Sequence, residues 1–195
     1  FAQNAHIERW VHSLLETAVS QLRSQQYSVA LDNCQLLLSL QPKNHKALTL
    51  KGVALAKLER YQAARYAFQE SIDIEPQSLV NYVHRAKLFV KLHAYDKAQK
   101  DLQFVLLHDK KNQQALEELA KLFNRKRAFS DTIALLNKAE ATQHSVKLLH
   151  QLAFAYRMTA QWLPAYKAFK RLVQLNKFDA EALFRMAQIH ETLQV

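Results

Sequence analysis

Tyr27, Tyr61, Tyr95, Phe129 and Trp162 stand 34, 34, 34 and 33 residues apart, and three other series keep step with them. Three residues after each aromatic comes Ala30, Ala64, Ala98, Thr132 or Ala165. Seven after it comes Cys34, Phe68, Leu102, Leu136 or Phe169, and nine before it Ala18, Gly52, Ala86, Ala120 or Ala153. Ala187 extends the last series by another 34. A fixed period of this length means that one supersecondary unit is copied along the chain, each copy burying its apolar face only against its neighbours. Composition narrows what the unit can be. With one Gly and three Pro in 195 residues, sandwiches and barrels that turn every ~8–12 residues are excluded. So are Gly-rich phosphate loops, which need more than one glycine. The unit is therefore a pair of helices, with a small residue where they approach closely and an aromatic filling the gap to the next pair.

The period and register resemble the tetratricopeptide repeat, a helix–turn–helix family with the pattern W-x2-L-G-x2-Y, then A-x3-F, then P. The second repeat carries it best, in Leu48, Lys51, Gly52, Leu55, Ala64, Phe68 and Pro76; the fifth reads Leu149, Leu152, Ala153, Tyr156, Ala165 and Phe169. Pro42 closes the first repeat, whereas Lys110 and Lys177 stand where later prolines would be. Lys51 and Arg85 replace the family's Leu at the seventh position and read as snorkelling aliphatic stems. The resemblance implies an all-α, right-handed α-solenoid of five repeats, about 11–44, 45–78, 79–112, 113–145 and 146–179, plus a half repeat at 180–195. Residues 1–10 read as a helical extension of the first A helix, starting near Ala5 on the stripe Ile7, Trp10, Val11, Leu14 and Leu15. Ser28, Asp96 and Ser130, each just after an aromatic, are expected to cap B helices. The fourth repeat is one residue short, with the loss expected near Gln143–Ser145. The chain starts at Phe1 rather than Met, which reads as processing or excision. The terminal A helix, with Leu183, Phe184, Met186 and Ile189, lacks a B helix, and its apolar outer side predicts a parent chain that continues past Val195.

No residue pattern points to catalysis. The nine histidines include no H-E-x-x-H pair, and the adjacent Glu117 and Glu118 point in different directions on a helix. One cysteine, Cys34, excludes an internal disulfide and any multi-cysteine metal site, and its register makes it a buried structural thiol. No apolar run approaches the ~18 residues of a membrane span. The expectation is a non-catalytic chain with no cofactor and no metal. A lone thiol suits a reducing cytosol and also fits a cleaved, exported chain; the compartment stays open, with the cytoplasm favoured.

The formal net charge is +10, and it is uneven. Residues 1–78 carry 8 basic and 7 acidic side chains, residues 79–195 carry 19 and 10. Such a field favours acidic partners. In the family the concave face is lined mainly by A-helix positions. Carried over, its fifth and ninth positions are Leu15 and Val19, Thr49 and Val53, Val83 and Lys87, Glu117 and Lys121, His150 and Phe154, Phe184 and Gln188. The thirteenth positions, Arg23, Lys57, Lys91 and Arg125, form a basic ladder, with Arg157 one step off in the fifth repeat. The residues the resemblance assigns to a partner are thus Arg23, Val53, Lys57, Val83, Lys87, Lys91, Lys121, Arg125, Phe154 and Arg157. The Lys/Asn pattern with which some members clamp chaperone C-termini is absent: the corresponding positions hold Leu15, Val19, Leu50, Val80 and His84. The reading is a protein-interaction scaffold that holds an acidic or mixed acidic–apolar protein or peptide segment in the groove. The alternatives are a regulatory or substrate-presenting region of a larger enzyme, such as a transferase, and nucleic-acid binding, which the sequence favours less. Self-association through the C-terminal helix is a further expectation.

Overall fold

The computed structural model describes residues 2–193. Among these the chain is helical throughout, with no strand. The A helices are α1 (Ala2–Arg23), α3 (His45–Lys57), α5 (Leu79–Lys91), α7 (Gln113–Arg125), α9 (Val146–Met158) and α11 (Ala180–Leu193). The B helices are α2 (Tyr27–Leu40), α4 (Tyr61–Ile74), α6 (Tyr95–His108), α8 (Phe129–Lys138) and α10 (Trp162–Leu175). The recurrent aromatic is the first residue of every B helix.

Each A helix passes to its B helix through the same three-residue turn, and the backbone explains why. Gln25, Glu59, His93, Arg127 and Ala160 all have φ between 55 and 62°. Each lies two residues before the aromatic. The next residue's N–H reaches five residues back, as in Arg60 N to Leu55 O at 2.9 Å and Ala94 N to Phe89 O at 2.9 Å. This double closure of a left-handed residue satisfies the helix's last carbonyls. It also corrects the expected caps. The residues preceding α2, α4, α8 and α10 make no side-chain capping bond. Ser28 and Ser130 lie within the first turns of α2 and α8, and Asp96 within that of α6, where a negative charge suits the helix dipole. Side-chain caps belong instead to A helices: Asn44, Asn112, Ser145 and Asp179 accept from the N–H groups of Ala47, Ala115, Leu148 and Ala182.

The described chain forms two compact units, one ending at Asp101 and one beginning at Leu102. In the first, Leu31, Ala54, Leu55, Ala64, Ala67, Phe68 and Leu88 make one core, while Val11, Leu37 and Ala47 make a second. In the second unit, one core joins Leu116, Ala120, Leu136, Leu148 and Leu152. Another joins Leu149, Ala153, Phe169, Leu172 and Ile189. Ala18, Ala86, Ala120 and Ala153 are wholly buried, as close helix approach requires. Thr132 replaces the usual Ala, and its buried hydroxyl donates to Asn124 Oδ1 at 2.8 Å. The Cys34 thiol is fully buried, and burial pushes its pKa up to about 11, so it stays a protonated core group.

Two local expectations change. Arg85 does not snorkel. Its guanidinium forms a two-pronged pair with Asp101 at 2.8 and 2.7 Å and donates to Gln69 at 2.6 Å. Burial alone would lower its proton affinity, and Asp101 outweighs that and raises it. In the short fourth repeat the B helix stops at Lys138. The chain turns extended at Ala139 and finishes as a 3-10 helix, Glu140–His144, so the missing residue is absorbed by breaking the helix.

Candidate partner-binding face

The basic ladder has a local cause. Arg23, Lys57, Lys91 and Arg125 are the last residues of α1, α3, α5 and α7, and Arg157 lies in the last turn of α9. A cation there offsets the negative end of the helix dipole. Recurrence alone therefore assigns no ligand; a binding site needs an apolar surface beside the charge.

One such surface lies in the first unit. A pocket of about 150 Å³ opens between α3, α4 and α5. Val53 and Ala56 of α3, Phe68 of α4, and His84 and Leu88 of α5 make its floor and walls; Lys57, Lys87 and Lys91 also line it. Lys57 and Lys91 are exposed, Lys87 half-buried. The His84 ring stacks on Phe68 at 5.9 Å with 5° between planes. Burial, helped by the charge of Lys87, pushes His84 down from 6.5 to about 4, so the imidazole is neutral near pH 7 and belongs to the apolar wall. Charge at the pocket comes from the lysines.

Val83 lies elsewhere. It is 1% exposed and belongs to the core rather than to a partner surface. The fifth positions Thr49 and His150 are likewise taken up by contacts between repeats, whereas Phe184 is exposed. Thr49 Oγ1 lies 3.0 Å from Ser71 Oγ and bonds Asn81 Oδ1, Asn81 Nδ2 donates to Ser71 at 3.0 Å, and Ser71 donates to the His45 carbonyl at 2.7 Å. This closed network leaves no buried polar atom of the three side chains unpaired. His150 Nε2 lies 2.7 Å from Asp179. Burial would raise the Asp179 pKa; the Ala182 N–H and His150 overcome this and hold it low.

In the second unit the expected residues differ in availability. Lys121 is hydrogen-bonded to Glu117 and lies 3.5 Å from Glu118, while Lys147 lies 3.6 Å from Glu117. Burial tends to raise Glu117, but those cations hold its pKa down. The Lys121 charge is thus compensated within the protein. Arg125 is exposed. Phe154 is 38% exposed, packs edge-on to Phe129 at 5.9 Å, and carries the Arg157 guanidinium 5.6 Å above its ring. The sequence reading missed Ala56, Phe68, His84 and Leu88 as pocket residues. Phe68 reads as core from its B-helix register, and it and Leu88, 1% and 2% exposed, form the buried base of the gap between consecutive A helices, alongside half-buried Val53, Ala56 and His84. No described helix is long and apolar enough to cross a membrane.

Repeated helix pairs closed by one turn type, with an apolar pocket rimmed by A-helix cations, define a helical-repeat protein of the interaction-scaffold class. Known proteins agree. The tetratricopeptide repeat model matches residues 15–78. Tetratricopeptide repeat protein 37 of Xenopus laevis is 21% identical over 170 residues, covering 87% of this chain and 9% of that protein. Superkiller complex protein 3 of Homo sapiens is 31% identical over 81 residues, covering 42% of this chain and 5% of that protein. The chain thus spans less than a tenth of the length of these curated relatives. The structure of PilF from Pseudomonas aeruginosa aligns with a TM-score of 0.84 at 10% identity, over 97% of this chain and 86% of that one. Residues 15–78 thus match the tetratricopeptide repeat family, and the fold of the described chain is an all-α helical-repeat solenoid of the same kind.

Proposed function

We propose that the chain is a non-catalytic scaffold whose A-helix face holds an acidic or mixed acidic–apolar segment of a protein partner. The observation that carries this is the pocket between α3 and α5, where half-buried Val53 and Ala56, with Phe68 and Leu88 at the buried base, offer an apolar seat beside Lys57, Lys87 and Lys91. An apolar side chain seated there supplies desolvated contact, and carboxylates beside it meet the lysines. Each exposed charge pair contributes only about 0.2–1 kcal/mol, so the apolar seat sets affinity and the lysines set preference. Arg23 in the first unit, and Arg125 with the Phe154–Arg157 pair in the second, offer further contacts of the same chemistry. Lys121 contributes little, because Glu117 and Glu118 already neutralise it. The name of Superkiller complex protein 3 marks that relative as a member of an assembly, which fits a scaffold role here.

The test uses labelled twelve-residue peptides with a central Leu pair flanked by glutamates, glycines or lysines. Glutamate-flanked peptides should bind best. Lys57→Glu with Lys91→Glu should remove the shifts such peptides cause at the Val53 and Leu88 methyl signals and leave the melting temperature unchanged. Lys97→Glu with Lys100→Glu, on exposed positions of α6, should not. Equal loss in the control pair would assign binding to bulk charge. Single-stranded RNA that displaces the peptides and perturbs the same methyls would favour the nucleic-acid alternative.

A further inference from the structure

The fourth repeat departs from the others on its B-helix side, and a second pocket lies at the break. α8 has ten residues where α2, α4, α6 and α10 have fourteen. Past Lys138 the chain is held by Thr142 Oγ1, which donates to the Leu136 carbonyl at 2.8 Å. Beside this break is a cavity of about 320 Å³. Leu106 of α6, Leu116 of α7, and Ala134 and Leu135 of α8 line it, with Lys110 and Lys138. Leu116 is 2% exposed, and Leu106 and Leu135 are half-buried against its cluster, so the base of the cavity is continuous with the core. Leu107, the neighbour of Leu106, is 74% exposed.

Lys110 and Lys138 are exposed, on different elements, and neither is in an ion pair among the described residues. Of the acids nearest in sequence, Asp109 accepts from the Lys111 N–H and from Asn112 Nδ2, both at 3.1 Å, and Glu140 lies 3.5 Å from Lys111 Nζ. An open cavity with an apolar base and two uncompensated cations suits a ligand that is apolar at its centre and anionic at its flanks. A bare anion would leave the apolar base unfilled. A second copy of this chain would bring a net charge of +10 to a basic site. We infer that this B-helix cavity is a docking site for a protein segment that inserts a large apolar side chain, with acidic residues on both sides of it. It is separate from the pocket between α3 and α5 and does not rest on the reading of that pocket.

The full chain, labelled at its Leu and Val methyls, is titrated with twelve-residue peptides carrying a central Phe flanked by glutamates, glycines or lysines. The glutamate series should shift the methyls of Leu106, Leu116 and Leu135, and binding should weaken at least fivefold when salt is raised from about 50 to 300 mM. Ala134→Trp, at an exposed helical position, fills the cavity and should abolish those shifts. Lys110→Glu with Lys138→Glu should weaken binding at least fivefold. Lys57→Glu with Lys91→Glu should leave these three methyl signals responding as before, so the two pockets are judged separately. Circular dichroism of each variant shows that the fold is retained. The proposal is overturned if glutamate-flanked peptides leave the three methyls unmoved. It is equally overturned if lysine-flanked peptides bind as well, or if Ala134→Trp responds like the wild type.

Discussion

Gly52→Ala is expected to destabilise the first unit although it places a better helix former in the middle of α3. In an exposed helix interior the exchange gains about 1 kcal/mol. Here the added methyl would lie 2.6, 2.8 and 2.9 Å from Cε1, Cδ1 and Cζ of Phe68. Phe68 is 1% exposed and has the His84 ring stacked on it, so it cannot swing into solvent. Overpacking of this kind costs about 1–3 kcal/mol, which cancels the gain and leaves a net loss of up to about 2 kcal/mol. The same register holds Ala86 with Leu102 and Ala120 with Leu136, but also Ala153 with Phe169, so the clash comes from where the Phe68 ring is held against His84 rather than from the residue pair alone. Phe68→Leu should therefore relieve Gly52→Ala, and the double variant should lose less than the sum of the singles. Urea melts give the overall stability. Because repeat proteins can open in parts, amide exchange of α3 and α4 localises the effect. A stabilisation of about 1 kcal/mol by Gly52→Ala, or strict additivity with Phe68→Leu, would refute the steric account.

Two more outcomes follow from single residues. The folded-state pKa of His84 is about 4 against an ordinary 6.5, so between those values the unfolded chain binds more protons and stability falls as pH is lowered. The loss is on the order of 3 kcal/mol once pH is below both values. His84→Phe should flatten that slope in urea midpoints measured from pH 7 to 4, and unchanged slopes would show that the ring is not desolvated. Glu59→Gly, at φ 61°, should raise stability by about 1 kcal/mol by removing the left-handed strain of a Cβ. Glu59→Ala, which keeps the Cβ, should not, and thermal melts of the two variants distinguish them.

The repeat was fully legible in the sequence, because steric demands at a fixed register leave a periodic trace. Small residues at 18, 52, 86, 120 and 153, and the aromatics nine positions later, mark where helices must approach and where gaps must be filled. The turns and caps left equally regular traces, at Gln25 through Ala160 and at Asn44 through Asp179. They were harder to read because no glycine stands at the left-handed positions and the caps precede A helices rather than B helices. What the sequence could not supply was the fate of each side chain across repeats. Val83 and Thr49 sit at positions that family register turns toward a partner, yet contacts with neighbouring helices bury them. Arg85 looked like a solvated stem and is paired with Asp101, 16 residues away. The ladder of cations proved to be the ends of helices, whereas the apolar seat beside Lys57 and Lys91 exists only because α3, α4 and α5 leave a gap between them. Local periodicity fixes which elements form. Exposure and pairing are settled by contacts between elements distant in sequence, and these only the packed structure decides.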